Sequence, residues 1–328
     1  MPDEDDNQIR YHRQILDTII GIENSEEFIV ALAELIKHLA VDHLHIVGDI
    51  FDRGGDADKI MDLLMEYHSL DIEWGNHDIL WMGAACGNEA SIATVVKNNM
   101  KYNNIQILES GYGISLRSLV LFGEQTYPEL DVMEAAQKAL SIILFKLEGQ
   151  IILRHPEYNM EDRLLLDKID YENKTIVSEQ VTYAMKDTNF PTVDKEHPYE
   201  LTEEEQKVIQ DLKFSFLNSH RLQKHMDFLF EKGCMYKRYN ENLLYHGCIP
   251  LDDQGNFDGI EIDRNIYMGK EYLDYAERVV REVRKGEAGQ DGLDFMWYLW
   301  TGKKSPLCGR NIKTFERTFI QDKQAWKE

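Results

Sequence analysis

Two short polar clusters hold the residues of this sequence that are best suited to chemistry. The first is Gly48-Asp49-Ile50-Phe51-Asp52-Arg53-Gly54 and the second is Gly75-Asn76-His77-Asp78. Asp49 offers two carboxylate oxygens, enough to bridge two divalent cations, and Asn76 offers a neutral carbonyl oxygen to one of them. Oxygen-rich donor sets with some imidazole suit manganese, iron or zinc, whereas an all-oxygen set suits magnesium. Two such cations, roughly 3.5–4 Å apart, clamp the attacking and leaving oxygens of a phosphoryl transfer. Arg53 is a natural bidentate partner for a phosphate. His77 paired with Asp52 makes an imidazolium able to protonate a departing alkoxide.

Such residues need rigid supports, and the flanking sequence supplies them. Leu44-His45-Ile46-Val47 precedes the first cluster and Leu70-Asp71-Ile72-Glu73-Trp74 precedes the second. Apolar runs of this length closing on Gly and a polar residue read as strands ending in loops. Between them, Ile60, Leu63, Leu64 and Tyr67 recur at helical spacing, so the alternation is that of a parallel strand–helix–strand unit. Ligands in open α/β sheets sit beyond the carboxyl ends of the strands, which directs both clusters to one crevice. Upstream, Ser25 caps a helix predicted to run to Ala40. Downstream, helices are expected from about Ile79 and over Glu89–Lys101, with a strand over residues 113–122. From about Asp131 the pattern is mainly helical: Met133–Glu148, Arg163–Leu166, Thr202–Leu217 and Leu222–Phe230, with a loop over Tyr183–Pro198. Thr202 and Glu205 stand at capping-box positions. Core strands are expected to resume over Cys234–Tyr239 and Leu243–His246, and Arg284–Gly292 reads as a polar linker. The chain thus divides into a first core segment (1–130), a mainly helical insertion (131–233) and a continuation of the core (234–328).

A third motif, His246-Gly247, follows the apolar run Asn242-Leu243-Leu244-Tyr245. The order Gly-Asp-x-x-Asp-Arg, Gly-Asn-His-Asp, His-Gly resembles the calcineurin-like metallophosphoesterase superfamily. Longer strings resemble the class III fructose-1,6-bisphosphatases: residues 39–49, Trp74-Gly75-Asn76-His77-Asp78-Ile79-Leu80-Trp81-Met82-Gly83-Ala84-Ala85, Phe145-Lys146-Leu147-Glu148-Gly149-Gln150, His246-Gly247-Cys248-Ile249-Pro250, Trp297-Tyr298-Leu299-Trp300 and Thr314-Phe315-Glu316-Arg317. The likeness covers the chain from about Tyr11 to its end. It implies an α/β fold, the four-layer αββα sandwich of that superfamily, incomplete here and carrying a mainly helical insertion. It also implies metal-dependent hydrolysis of the 1-phosphate of fructose 1,6-bisphosphate to fructose 6-phosphate and phosphate, a gluconeogenic step in the cytoplasm. Asp49, Asn76 and His246 would hold metal; His77, Asp52 and Arg53 would be catalytic, with Arg53 also meeting substrate. Mn2+ is the expected ion, with Mg2+, Fe2+ or Zn2+ as alternatives.

The superfamily's Asp-x-His motif before Asp49 and its Gly-His-x-His motif after His246 are absent from this sequence. Ligands for only one of the two metals are therefore in hand. The expectation is a fragment, truncated before the last metal-binding histidines, that alone binds at most one metal weakly and turns over little. A protein Ser/Thr phosphatase, a dinucleoside polyphosphate hydrolase and a truncated non-catalytic binding module remain open on motif grounds.

Other residues read more plainly. His43 and His45 share one face of the first strand but lie upstream of its carboxyl end, so they are not expected to be ligands. His38, His68, His155, His197, His220 and His225 read as surface or packing residues. Phe295, Trp297, Tyr298 and Trp300 form an aromatic cluster that reads first as core and second as a stacking face for a sugar. Nearby Lys303, Lys304 and Arg310 are candidates for the second phosphate of a bisphosphate, Arg310 foremost.

Composition fits an ordinary globular protein: 43% hydrophobic and 29% charged residues in 328. Four scattered cysteines without a Cys-x-x-Cys pair suggest reduced thiols. The sequence has neither a signal-peptide pattern at its start nor an apolar run long enough to span a bilayer. A formal charge of −23, from 59 acidic and 36 basic residues, opposes nucleic-acid binding, which needs a basic face. It also repels an anionic sugar phosphate at long range, so local cations must supply the attraction. The expected partner is a small sugar bisphosphate, with neither nucleic acid nor membrane; a homo-oligomer is compatible with the reading.

Overall fold

The computed structural model describes residues 6–21, 25–310 and 312–326. Contacts divide the chain into two units: Met1–His45 with Tyr67–Asp71, and Ile46–Glu66 with Ile72–Glu328.

The smaller unit contains α1 (Asp6–Ile20) and α2 (Ser25–Ala40), with the first residues of β1 (Leu44–Ile46). The second helix has the bounds that its periodicity predicts. Glu26 and Glu27 in its first turn and Lys37 and His38 in its last complement the helix dipole. Neither helix buries a residue. In the same unit His43 Nε2 lies 2.9 Å from Asp71 and His45 Nδ1 2.5 Å from it, while His43 Nδ1 meets Ser69 Oγ at 2.7 Å.

The larger unit holds the sheet ends and the helical body. After β1 the chain forms α3 (Ala57–Met65) and β2 (Leu70–Glu73). Strand β2 pairs in parallel with a two-residue strand that begins at Gly233, with Ile72 opposite Gly233 and Glu73 opposite Cys234. All four residues of β2 are buried, as a central parallel strand requires. Next come α4 (Asn76–Ala85), α5 (Glu89–Lys101), α6 (Arg117–Thr126) and α7 (Val132–Arg154). Helix α7 is apolar on nearly all sides, the mark of a buried helix, and its neighbours enclose it. A small antiparallel meander follows, β3 (Ile169–Asp170), β4 (Thr175–Ser178) and β5 (Val181–Ala184).

Helices α8 (Glu203–Asn218) and α9 (His220–Lys232) come next. Thr202 Oγ1 accepts from the Glu205 amide and Glu205 accepts from the Thr202 amide, completing the predicted capping box. Glu205 also accepts from the fully buried Lys146 ammonium at 2.6 Å. Strand β6 (Gly233–Cys234) completes the three-stranded sheet in the order β1-β2-β6. Hairpins β7 (Tyr236–Tyr239)–β8 (Asn242–Tyr245) and β9 (Gly259–Ile262)–β10 (Asn265–Met268) precede α10 (Gly269–Lys285), α11 (Gly289–Thr301) and α12 (Thr314–Phe319). Phe315, Phe319 and Ile320 pack with Phe145, Ile142, Ile176 and Phe190, tying α12 to α7 and the meander.

Four local expectations change. The strand expected over 113–122 does not form: Gly113 takes φ 69°, residues 113–116 are an irregular connection, and from Arg117 the chain is helical, burying Leu119 and Gly123 at helical spacing. The linker expected over 284–292 is mostly helix. The buried stripe Tyr272, Ala276, Val279, Val280 and Val283 carries α10 to Lys285, and Gly286 ends it in a left-handed turn. Residues 163–166 form parts of two 3-10 turns rather than an α-helix. The apolar run before His246 pairs as a hairpin with β7 and does not enter the three-stranded sheet.

Candidate active site

Beyond β1 the backbone turns sharply, with Gly48 at φ 84° and Asp49 at φ 57°. Glycine is needed at the first position because a Cβ there would strike the Glu73 carbonyl and the Gly75 amide. The loop therefore lies directly against the start of α4, which begins at Asn76 rather than near Ile79. Asp49 Oδ1 accepts the His77 amide at 3.0 Å, taking one of the free N–H groups at that helix N-terminus. The buried Asp78 carboxylate accepts from the amides of Gly75 (2.9 Å) and Asp49 (2.7 Å), locking the two clusters together. Burial pushes the Asp78 carboxyl up to about 6.

The remaining groups converge on this frame. His246 Nε2 lies 3.4 Å from Asp49 Oδ2, and its Nδ1 donates to the Val47 carbonyl at 2.6 Å. His77 Nε2 lies 2.9 Å from Asp52 Oδ1, and Arg53 Nε approaches the same oxygen at 3.4 Å. Ligand atoms of Asp49, Asp52 and His77 all fall within 4.8 Å of one another. Trp300 stands edge-on to the His77 ring at 4.8 Å, and Arg53 lies over the Tyr102 ring at 5.1 Å. Burial raises the Asp49 carboxyl, but the His246 bond and charge more than offset this and hold it below the ordinary range. The bond to Asp49 raises His246 to about 9 against a smaller effect of burial. Burial lowers His77 despite the nearby carboxylates.

This donor set fits a divalent cation. The Val47 carbonyl can only accept, so it fixes the proton of His246 on Nδ1 and leaves Nε2 directed at Asp49. A lone pair on Nε2 and a carboxylate oxygen 3.4 Å apart repel unless a proton or a cation lies between them. The spacing matches neighbouring vertices around a metal with bonds of about 2.0–2.2 Å.

Arg53, Asn76 and His77 open on a cavity of about 780 Å³. Its walls carry seven cationic side chains, Arg53, Lys97, Lys101, Lys138, Lys186, Arg310 and Arg317, against the three acidic ones Glu134, Glu148 and Asp187. The local balance is thus opposite to that of the whole chain. Arg310 lines this cavity, whereas Lys303 and Lys304 pair with Asp162 and Asp258 and do not. The aromatic cluster divides: Phe295, Trp297 and Tyr298 are buried core, and Trp300 reaches the cavity. His225 and His155 are packed inside against Asp62 and Asp294. Sequence reasoning missed the lysines at 97, 101, 138 and 186. Thr94, Lys97, Asn98 and Lys101 form one polar stripe on an otherwise buried helix, which was the available signal.

Comparison with known proteins agrees with the motifs. The family model described as Firmicute fructose-1,6-bisphosphatase matches residues 1–328. The chain is 48% identical to a class 3 fructose-1,6-bisphosphatase of Clostridium beijerinckii over 98% of its length and 52% of the relative's. It is 47% identical to one of Alkaliphilus metalliredigens (97% and 52%) and 45% identical to one of Clostridium botulinum (97% and 51%). The chain spans about half the length of these curated relatives. No solved structure matches it. Among the described residues no helix is long and apolar enough to cross a membrane. With the motif residues gathered at one site, and a family match over residues 1–328, the chain belongs to the Firmicute fructose-1,6-bisphosphatase family.

Proposed function

We propose that this chain carries the phosphate-handling half of a metal-dependent fructose-1,6-bisphosphatase, acting on the 1-phosphate in the gluconeogenic direction. The observation that supports this most is the joining of a candidate metal centre and a cation-rich cavity in one site of an acidic chain. Asp49, Asn76 and His246 would hold a divalent ion, with manganese the ion proposed from the mixed oxygen and imidazole donors. When bound, it would neutralise phosphate charge and lower the pKa of a water. The fold proposed for the full relatives is the αββα sandwich of calcineurin-like enzymes, of which β1, β2 and β6 would form part.

The protein groups divide the remaining work. Arg53, steadied through its carbonyl by Asn104 (2.8 Å) and by the Tyr102 ring, orients the phosphate. Asp52 accepts from His77 Nε2–H, fixing the ring and favouring its protonated form. Burial leaves His77 neutral at pH 7 on its own. A phosphate dianion beside the ring favours a second proton, which Nδ1 then passes to the leaving sugar oxygen. Trp300 against the ring limits access of water.

The test is phosphate release by the purified chain with manganese, offered fructose 1,6-bisphosphate, a phosphopeptide and diadenosine tetraphosphate. Preferential but slow turnover of the bisphosphate, lost in His77→Asn, is expected. Equal or better turnover of either alternative substrate, or none of the bisphosphate with any of the four metals, would overturn the reading.

A further inference from the structure

Two lysines of the larger unit have buried ammonium groups in contrasting settings. Lys146 Nζ donates to the Thr192 carbonyl and to Glu205, each at 2.6 Å. Lys97 Nζ is also buried, yet among the described residues it has no hydrogen-bond partner. Its close neighbour is the face of the Phe145 ring, 4.6 Å away. Glu148 contributes charge nearby but is engaged with Arg163 at 3.4 Å. A buried cation without a hydrogen-bonded counter-charge is costly, which marks it as a candidate for binding an anion.

The cavity supplies the place for that anion. Lys97 lines the same cavity as Arg53, Asn76 and His77. There His77 lies against Trp300 and Arg53 over Tyr102. Beside Lys97, Phe145 packs on Phe315 and Phe319 of α12, and Arg317 and Thr318 of that helix also line the cavity. Helix α5 presents Thr94, Lys97, Asn98 and Lys101 to the cavity.

We propose that Lys97, together with Arg317, forms a subsite for the phosphate that is not hydrolysed, so that the cavity selects a sugar carrying two phosphates. This rests on the bisphosphatase reading for the identity of the ligand, while the anion site itself rests on the unpartnered ammonium. The arrangement places the reacting phosphate at Arg53 and His77 and the spectator phosphate at Lys97. Binding at Lys97 then orients the sugar toward the metal centre without taking part in bond breaking.

The experiment is calorimetry of the full chain and of Lys97→Met and Lys97→Arg. Melting curves confirm that both variants fold. Titrants are fructose 1,6-bisphosphate, fructose 1-phosphate and fructose 6-phosphate with manganese, and inorganic phosphate without metal. Lys97→Met is expected to weaken the bisphosphate and fructose 6-phosphate by about tenfold or more, to spare fructose 1-phosphate, and to abolish metal-free phosphate binding; Lys97→Arg should restore most of the affinity. Unchanged bisphosphate affinity in a folded Lys97→Met, or an equal loss for both monophosphates, would overturn the subsite. Metal-free phosphate binding that needs Lys97, in a chain that ignores the bisphosphate, would retain the anion site and refute the sugar reading. Absence of both kinds of binding in the unaltered chain would overturn the subsite and the reading on which it rests.

Discussion

Asp49 and His246 face each other across 3.4 Å although 196 residues of sequence separate them, and each is held from behind by backbone. The His77 amide donates to Asp49 Oδ1, and the Val47 carbonyl accepts from His246 Nδ1. Both candidate donors are thereby held in place, which would lower the ordering cost of binding a cation. His246→Ala should weaken manganese binding by at least about tenfold. Calorimetry of the chain and the variant checks this, and equal affinities would remove His246 from the donor set.

The Gly75 position controls the same carboxylate. A Cβ there would collide with the Asp49 carboxyl group and amide. Gly75→Ala is expected to displace Asp49 and to weaken metal binding as strongly as loss of His246 does. A variant that melts within a few degrees of the parent and still binds manganese normally would contradict this.

His77 and Asp52 should separate kinetically. His77→Asn removes the proposed proton donor and is expected to lower kcat by about a hundredfold or more with little change in KM. Asp52→Asn leaves the ring but loses its orientation and its support for the protonated form, so a smaller fall in kcat and an altered pH profile are expected. Rate measurements across pH on both variants decide it.

Lys97 gives the site a pH dependence of known sign. Burial lowers its ammonium from 10.5 to about 8. The charged form is therefore disfavoured in the folded chain; the stability cost is fully present below about pH 8 and is relieved as pH rises from there toward 10.5. Affinity for an anion runs the other way, falling as pH passes about 8 and the ammonium is lost. Lys97→Met should show neither trend, as read from melting curves and phosphate titrations between pH 7 and 10 (about the working window for such a shift).

The buried pair Lys146–Glu205 is a structural counterpart. Glu205→Ala removes the counter-charge of a fully buried ammonium and one half of the α8 capping box. A loss of about 3–5 kcal/mol is expected from breaking such a pair. Denaturant unfolding of the variant measures it, and a loss under about 1 kcal/mol would mean that water or another acceptor reaches Lys146.

The chain by itself determined the pieces whose cause is local. Strands ending at Asp49 and Gly75 follow from short apolar runs closed by glycine, and the helices over 25–40 and 89–101 from periodicity and end charges. The motif residues were legible because their chemistry requires those types in that order. Tertiary structure decided what depends on distant partners. Only folding opposed His246 to Asp49, sent Lys303 to Asp162 while Arg310 lined the cavity, and gave Lys146 a hydrogen-bonded counter-charge that, among the described residues, Lys97 lacks. Residues 113–122 show the same limit: an apolar run is compatible with strand or helix, and packing of Leu119 and Gly123 beside α7 selected the helix. Local sequence sets backbone preference, but the electrostatic role of a lysine or histidine is fixed by whichever charge the fold places next to it.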